Sequence, residues 1–363
     1  MKIANVVGAR PNFMKIAPIH RRMKQSEHID PILIHTGQHY DEKMSKTFFV
    51  DLAMPEPDMY LNVRSGTHAE QTAAVMVKME QFLVAERPDL LVVVGDVNST
   101  IAASLAASKV GVPVAHVEAG LRSFDRAMPE EINRILTDAI SDYLFITEQS
   151  GIDNLSKEGT ADDKVFFVGN VMIDSLAEHL EKAAELSTLH EYHLEPQKYA
   201  LMTLHRPSNV DNQQVLQKIF QALKVVQNDM PIIFPIHPRT RKMLSAFGMD
   251  DQVARMRNLF ITEPLGYLPF LRLMSQAKLV LTDSGGIQEE TTFLKIPCLT
   301  LRANTERPVT VTLGSNQLVG MEPEAILDGY NNVLHGTLKE AQIPPLWDGM
   351  ASKRIVDILE KLA

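Results

Sequence analysis

The amino-acid sequence predicts an α/β protein made of two Rossmann-like, doubly wound parallel-sheet domains. Short apolar runs of strand length recur along the chain, and segments with the period of an α-helix separate most of them. This alternation is typical of parallel sheets that are covered by helices on both faces. At 363 residues, the chain is also long enough for about two domains of ordinary size.

The first half contains predicted strands at residues 3–7, 31–35, 90–94, 113–117, 143–147 and 165–168. One helix is predicted to begin after Thr67, which can form a capping box with Glu70. A second is predicted to begin at Pro129, with Glu130 and Glu131 at the positive end of its dipole. This half is therefore predicted to be doubly wound.

The alternation restarts after a weakly patterned stretch that ends at Pro196. Strands are predicted at 199–204, 231–236, 259–262, 278–282 and 297–301, with helices near 211–227, 267–277 and 287–294. We therefore predict an N-terminal domain at 1–170, a crossing helix and linker at 171–198, and a C-terminal Rossmann-like domain at 199–345. The last helix, within 346–363, is predicted to pack back on the N-terminal domain.

The composition excludes several classes of protein. Acidic residues outnumber basic residues, 45 to 36, and no basic run offers a footprint for nucleic acid. The single cysteine, Cys298, rules out an internal disulfide and a cysteine zinc cage, and its apolar surroundings predict a core position. No apolar run approaches the ~18 residues of a membrane span. The sequence therefore predicts a cytoplasmic protein that binds neither nucleic acid nor membrane.

Polar residues that directly follow predicted strands are the candidate site residues, because open parallel sheets bind ligands at the carboxyl ends of their strands. Arg10 and Lys15 follow the first strand and form either an anion clamp or an ordinary turn with solvated cations. This turn lacks both the G-x-G-x-x-G fingerprint and the Walker pattern. A standard dinucleotide or P-loop site is therefore not predicted.

Carboxylates follow other strands of the first half. Asp96 precedes a predicted cap at Ser99 and is either an acid/base group or a turn former. Strand alternation predicts that His116 and Glu118 point to the same face. Glu130 is either a further functional carboxylate or a residue that compensates the helix dipole.

The second half places a histidine and an arginine after two successive strands, at His205 and at His237. Such a pair can contact a diphosphate. With Asp96, His116 and Glu118 these histidines form a candidate metal set, but no H-E-x-x-H or other short ligand spacing supports it. We therefore predict that no metal is required.

The strongest ligand-binding signal is a glycine turn between a strand and a helix. Ser284, Gly285 and Gly286 direct free backbone N–H groups and a hydroxyl toward a phosphate, and Glu290 lies one turn into the helix, where it suits ribose hydroxyls. The alternative is a tight turn without a ligand. Arg307 supplies a further cation after a later strand.

Together these motifs resemble those of the non-hydrolysing UDP-N-acetylglucosamine 2-epimerases along nearly the whole chain. The matching segments are VGARPN at 7–12, HTGQHY at 35–40, GD at 95–96, HVEAGLR at 116–122, MPEEINR at 128–134, LHR at 204–206, DSGGIQEE at 283–290 and TERP at 305–308. The resemblance implies a glycosyltransferase-B-like fold with a UDP-sugar in the cleft between two domains. It also implies a homodimer that needs neither a metal nor a nicotinamide cofactor.

The resemblance further implies roles for single residues. Catalysis near the sugar is implied for Asp96, Glu118, Glu130 and His205. Diphosphate binding is implied for Arg10, Lys15, His205, Ser284, Gly285, Gly286 and Arg307. Glu290 is implied to bind the ribose, and the segment from Leu265 to Phe270 to bind uracil, largely through backbone groups. Some relatives carry glutamine in place of Leu265, and residues 38–41 and 122–126 fit either UDP-N-acetylglucosamine or a 2,3-diacetamido uronic acid relative.

The chemistry of the family accounts for these residue types. A carboxylate removes the C2 proton while UDP leaves C1, and UDP then adds back to the 2-acetamidoglucal while a proton is delivered to the opposite face. The implied role is the supply of N-acetylmannosamine-type sugars for cell-surface polysaccharide. Three alternatives stay open: a hydrolysing epimerase, a UDP-glycosyltransferase on the same fold, and a non-catalytic UDP-sugar sensor.

Overall fold

The structure is a computed structural model, and it describes residues 1–37 and 56–362. The chain divides into two compact units, residues 1–178 with 345–363, and residues 179–344. Each unit is built on one sheet, and all the strand pairs in both sheets are parallel. The predicted α/β class with two doubly wound parallel sheets is therefore confirmed.

The sheet of the first unit has seven strands among the described residues, in the order β3-β2-β1-β4-β5-β6-β7. They are β1 (Lys2–Val7), β2 (Asp30–His35), β3 (Met59–Tyr60), β4 (Leu90–Val94), β5 (Val114–Ala119), β6 (Tyr143–Ile146) and β7 (Val165–Phe167). The direction of strand addition reverses between β1 and β4. In open parallel sheets, the carboxyl ends beside such a reversal are where ligands bind.

The helices of this part of the chain are α1 (Arg10–Met23), α2 (His68–Glu86), α3 (Asn98–Val110), α4 (Pro129–Ile140), α5 (Gln149–Lys157) and α6 (Val171–Ala184). Thr67 and Glu70 form the predicted capping box at the start of α2. The helix predicted from Pro129 begins at that residue. Both predictions succeed because capping and first-turn proline are local signals.

The prediction of a helix cap at Ser99 is wrong. The helix α3 begins at Asn98, with Val97 as its N-cap. The Ser99 hydroxyl instead lies 2.8 Å from that of Thr36, which joins α3 to the end of β2. A Cβ at Gly8 would clash with the same Ser99 hydroxyl, so the turn after β1 requires glycine.

The sheet of the second unit repeats the same topology, in the order β10-β9-β8-β11-β12-β13. Its strands are β8 (Ala200–Met202), β9 (Ile232–Pro235), β10 (Leu259–Thr262), β11 (Leu279–Thr282), β12 (Cys298–Thr300) and β13 (Asn316–Leu318). Its helices are α7 (Thr188–Glu191), α8 (Pro207–Val210), α9 (Gln213–Asp229), α10 (Pro238–Ala246), α11 (Asp250–Ala254), α12 (Tyr267–Gln276), α13 (Gly285–Leu294), α14 (Pro308–Thr312) and α15 (Pro323–Leu334). Cys298 is fully buried in β12, as predicted.

The C-terminal helix α16 (Ala351–Glu360) packs against α1 of the first unit. Asp174 on α6 accepts hydrogen bonds from the backbone N–H groups of Ala351 at 3.1 Å and Ser352 at 2.7 Å. A side chain from another helix therefore satisfies the free N–H groups at the start of α16. Among the described residues, none of the helices combines the length and the apolar character needed to cross a bilayer.

Candidate active site

The carboxyl edge of the first sheet is organised by a buried asparagine. Asn12 on α1 accepts a hydrogen bond from the N–H of Ala9 at 3.0 Å and donates one to the Val94 carbonyl at 2.8 Å. These bonds fix the start of α1 to the end of β4. Arg10 is the first residue of this helix, and its side chain lies outside the described part of the structure.

Asp96, directly after this edge of β4, contacts a buried arginine. Arg134 on α4 forms ion pairs with Asp96 and with Glu131, the second at 2.7 Å. The side chain of Arg134 is 3% exposed, whereas that of Asp96 is 27% exposed. A buried guanidinium therefore holds a carboxylate that solvent or a ligand can reach.

Glu118 interrupts the regular pairing of β5. Its φ is 72°, and the register with β6 shifts between Val117 and Ala119. The prediction that His116 and Glu118 share one face is therefore wrong, because this bulge takes the chain out of its two-residue alternation.

The two side chains contact helices on opposite faces of the sheet. Glu118 is ion-paired with Lys15 on α1, and both side chains are buried. His116 lies 2.6 Å from Asp138 on α4. The helices α1 and α4 connect strands that step in opposite directions across the sheet, and right-handed connections place such helices on opposite faces.

The neighbouring glutamates at the start of α4 have different surroundings. Glu131 is buried and accepts hydrogen bonds from the backbone N–H groups of Ser123 and Phe124, each at 2.9 Å. Burial would raise the pKa of Glu131, but the hydrogen bonds from Ser123 and Arg134 outweigh it and hold the pKa below its ordinary value. Glu130 is half-buried, and no hydrogen bond to its side chain is found among the described residues. Glu131 therefore holds the loop before α4 in place.

In the second unit, a buried aspartate positions the histidine after β8. Asp283 Oδ1 lies 2.9 Å from His205 Nδ1, and Oδ2 accepts the backbone N–H of Arg206 at 2.8 Å. Burial would raise the pKa of Asp283, but the bond and charge of His205 and these N–H groups hold it below its ordinary value. The rings of His205 and His237 have centroids 5.7 Å apart. The strand ends of β8, β9 and β11 thus meet at His205.

The turn after β11 leads into helix α13, and the N-cap side chain does not bond to the backbone N–H groups of the first turn. Ser284 is the N-cap, and its side chain makes no capping hydrogen bond. A Cβ at Gly285 would lie 2.6 Å from Arg307 Nη1 and 2.7 Å from Glu306 Oε1, so a larger residue here would displace these two buried side chains. The turn therefore lies directly against a charged cluster.

That cluster surrounds Glu306, which is 2% exposed. Its carboxylate oxygens lie 2.6 Å from Arg307, 2.8 Å from Arg302 and 3.7 Å from Arg206. Arg307 also lies 2.6 Å from Glu289. Burial would raise the pKa of Glu306, but the charges of Arg307 and Arg302 hold it well below its usual range. Three guanidinium groups are thus held in place beside a helix N-terminus, an arrangement that suits an anion.

The remaining predicted residues of this unit lie around α12. The Tyr267 hydroxyl donates a hydrogen bond to Glu290 Oε1 at 3.0 Å, and both residues are buried. Burial and the neighbouring charge of Glu290 raise the pKa of Tyr267. Leu265 precedes the helix, and the backbone N–H of Phe270 bonds to the Gly266 carbonyl at 3.1 Å. Leu265 and Phe270 are half-buried.

Sequence reasoning assigned no role to two charged residues that dominate these surroundings. Arg134 stands three residues after Glu131 on a helix, a spacing that indicates an ion pair. Glu306 pairs with Arg302 and Arg307, which are near in sequence, and with Arg206, which is distant. The near pairs lie in a loop, where charge spacing alone does not predict an ion pair, and the distant pair forms only in the fold. Across residues 1–37 and 56–362, no group of three or more His, Cys, Asp and Glu side chains is arranged to hold a metal ion. Residues 38–41, one of the segments bearing on the sugar, lie outside the described residues.

The chain is similar to known proteins along nearly its whole length. A family model described as UDP-N-acetylglucosamine 2-epimerase matches residues 21–360. The UDP-N-acetylglucosamine 2-epimerase of Methanocaldococcus jannaschii is 44% identical over 99% of each chain. Its crystal structure in complex with UDP-GlcNAc and UDP has a TM-score of 0.92, at 45% identity, and covers 99% of this chain and 100% of that one.

Two further similarities bear on substrate and fold. The UDP-2,3-diacetamido-2,3-dideoxy-D-glucuronate 2-epimerase of Pseudomonas aeruginosa is 40% identical over the full length of both chains. A lipopolysaccharide outer core galactosyltransferase is 16% identical, with a TM-score of 0.57 over 100% of both chains, and shows likeness of fold alone. The predicted glycosyltransferase-B-like fold class is confirmed.

Proposed function

Because this chain belongs to the UDP-N-acetylglucosamine 2-epimerase family and is therefore an epimerase, we propose that it reversibly converts UDP-N-acetylglucosamine to UDP-N-acetylmannosamine. The observation that carries the proposal is the pair of carboxylates after neighbouring parallel strands of the first unit. Asp96 follows β4, Glu118 is the second-last residue of β5, and each is bound to a buried cation. Carboxylates held in this way suit proton transfer to and from a sugar carbon.

The proposed reaction is an elimination followed by the reverse addition. A carboxylate removes the proton from C2, the C–H electron pair forms the C1–C2 double bond, and the C1–oxygen bond breaks with its electrons on the diphosphate of UDP. In the second half, UDP oxygen attacks C1 of the 2-acetamidoglucal while an acid delivers a proton to the opposite face of C2. The products balance without an oxidant, a reductant or water. Asp96, Glu118 and Glu130 are the proposed acid/base residues.

The second unit supplies the proposed binding groups for UDP. The N–H groups at the start of α13, the Ser284 hydroxyl and the guanidinium of Arg307 suit the diphosphate. We extend diphosphate binding to Arg10, Lys15, His205, Gly285 and Gly286. Glu290, oriented by Tyr267, is proposed to bind the ribose, and the segment from Leu265 to Phe270 the uracil.

Lys15 has two proposed contacts, one to Glu118 and one to the diphosphate. In the structure its ammonium group contacts Glu118. A lysine ammonium has three donors, so Lys15 can bind this carboxylate and a phosphate oxygen together. We therefore propose that Lys15 both orients Glu118 and contacts the leaving diphosphate.

A second candidate substrate is a UDP-2,3-diacetamido uronic acid. It is supported by the full-length similarity to the Pseudomonas aeruginosa relative named for that substrate. The chemistry at C1 and C2 would be the same, since both sugars carry an acetamido group at C2. Parallel assays with the two UDP-sugars distinguish the candidates by their kcat/KM.

We further propose a cytoplasmic homodimer that supplies N-acetylmannosamine-type sugars for cell-surface polysaccharide. The homodimer is proposed from the resemblance to the epimerase family. Light scattering checks the mass, and a wild-type protein with the mass of one chain would contradict the proposal.

The experiment that tests the proposed reaction is NMR of UDP-N-acetylglucosamine incubated with the protein in D2O. We expect deuterium at C2 of the recovered substrate and the appearance of UDP-N-acetylmannosamine. Recovery of both UDP-sugars without deuterium would contradict the elimination route. Release of free N-acetylmannosamine and UDP as main products would indicate a hydrolysing epimerase instead.

A further inference from the structure

His116 lies at the centre of a buried hydrogen-bonded network in the first unit. Its side chain is fully buried. Nδ1 lies 2.6 Å from Asp138 Oδ1, and Nε2 lies 2.8 Å from the carbonyl oxygen of Gly95. Both ring nitrogens are therefore engaged at hydrogen-bonding distance.

Both partners of the ring are acceptors. A carbonyl oxygen has no hydrogen to donate, and Asp138 also accepts from the N–H of Gly120 at 3.0 Å and from Arg122 at 2.7 Å. Burial would raise the pKa of Asp138, but the neighbouring His116 and Arg122 hold it below its ordinary value. The Arg122 ion pair and the Gly120 N–H do not depend on the ring, and both favour an ionised carboxylate. A ring that faces an acceptor at each nitrogen carries a hydrogen on both.

The charges in this network balance. The guanidinium of Arg122 also donates to both oxygens of Glu158, at 2.8 Å and 2.7 Å. The imidazolium of His116 and this guanidinium therefore face the carboxylates of Asp138 and Glu158. Buried charges are tolerated when they are paired in this manner.

The backbone groups that the network binds flank the two candidate carboxylates. Gly95 immediately precedes Asp96, and Gly120 follows Glu118 by two residues. Both glycines have left-handed conformations, with φ of 66° and 78°. One histidine–aspartate pair thus holds the turns of two adjacent strands, β4 and β5.

We propose that His116, protonated on both ring nitrogens and paired with Asp138, is a positioning residue that fixes the strand ends bearing Asp96 and Glu118 for proton transfer at C2. The proposal rests on the function proposed above for these two carboxylates. His116 acts through the Gly95 carbonyl and does not touch the substrate.

The hydrogens on the ring can be counted by NMR of the full-length wild-type protein with 15N-labelled histidine. Near neutral pH we expect both nitrogens of His116 to be protonated, with the signal assigned by its loss in His116→Gln. His20 is an internal control, because it is also fully buried and its pKa is lowered to about 4, mainly by burial. A His116 ring with one bare nitrogen would overturn the proposal.

The positioning role is tested by kinetics of His116→Gln. We expect the kcat for C2 deuterium exchange to fall by roughly 10- to 100-fold, the scale of a small misplacement of reacting groups, while UDP affinity stays within about twofold. The matched control His20→Gln should leave both quantities within about threefold of wild type. A normal exchange rate in His116→Gln, or an equal loss of UDP affinity, would overturn the role.

Asp138→Asn gives a second test if His116→Gln does not fold. An asparagine amide donates to Nδ1, so His116 should become neutral, and the exchange rate should fall by about tenfold at unchanged UDP affinity. A neutral ring with a normal exchange rate would overturn the proposal. If the wild-type protein showed no C2 exchange, the proposed function would be wrong as well. The number of hydrogens on the His116 ring would still be measured by NMR, independently of activity.

Discussion

The two sheets share one topology but carry different chemistry at their carboxyl edges. In the first unit, Asp96 and Glu118 are each held by one buried cation. In the second unit, three arginines surround Glu306 beside the N-terminus of α13. The shared strand order shows that the fold fixes where a site can form, whereas the residues after each strand decide what it does. On this account the first edge transfers protons, with Arg10 and Lys15 as additional contacts to the diphosphate, and the second edge supplies most of the diphosphate-binding groups.

The largest effect is expected when a carboxylate of the first edge is neutralised. Glu118→Gln keeps the shape of the side chain and removes its ability to accept a proton. We expect turnover to fall by roughly 10²- to 10⁴-fold, the usual scale for loss of a general acid or base. Conversion of UDP-N-acetylglucosamine to its epimer measures the effect.

The control for Glu118→Gln is Glu86→Gln, which alters an exposed ion pair with Lys2 in the same unit. It should leave turnover unchanged, because exposed pairs contribute little. If Glu118→Gln retained turnover near that of the control, Glu118 would be a structural carboxylate.

The charged cluster of the second edge predicts a pH-dependent change in stability. Glu306→Gln should lower the free energy of unfolding by about 3 kcal/mol at neutral pH, as when one partner is removed from a buried ion pair. The pKa of Glu306 is lower in the folded than in the unfolded state, so its contribution is complete above the unfolded value of about 4.3 and is lost as the pH falls toward the folded value. The difference from wild type should therefore shrink below about pH 4.

Urea unfolding at pH 7 and pH 3 measures this difference. Glu263→Gln is the matched control, because Glu263 pairs with Arg241 while it is 85% exposed. It should change stability by less than about 1 kcal/mol at either pH. An equal loss for Glu306→Gln at both pH values would show that packing, not charge, explains its effect.

A smaller effect is expected for the hydroxyl at the start of α13. Ser284→Ala should weaken UDP binding by about tenfold, the scale of one hydrogen bond to a charged group. Calorimetry measures the affinity, with Ser245→Ala on the exposed surface of the same unit as the control. Unchanged affinity in Ser284→Ala would remove the hydroxyl from the proposed site. Gly285→Val is not a useful test of UDP binding, because the valine side chain would clash with Arg307 and Glu306 even when no ligand is bound.

No effect is expected from removal of divalent metals. The proposed elimination uses carboxylates for the proton and fixed cations for the diphosphate. Treatment with EDTA followed by gel filtration should therefore leave turnover unchanged. Loss of activity that one added metal restores would contradict this prediction.

Local signals predicted much of this fold, whereas long-range contacts were not predictable. The capping box at Thr67 and the helix start at Pro129 depend on neighbouring residues, and both form as predicted. The bulge at Glu118 has no such signal, because a left-handed glutamate is imposed by its tertiary surroundings. The arginines around Glu306 come from segments about one hundred residues apart, so only the folded chain brings them together.

The most direct test of the separate roles of the two edges measures UDP affinity and C2 deuterium exchange for one variant of each edge. For Glu118→Gln, the account predicts UDP affinity within about twofold of wild type and C2 deuterium exchange reduced at least about 10²-fold. For Ser284→Ala, it predicts UDP affinity about tenfold weaker and exchange at saturating substrate within about threefold. Affinity and exchange that fall together in both variants would contradict the assignment of proton transfer to the first edge and of diphosphate binding to the second.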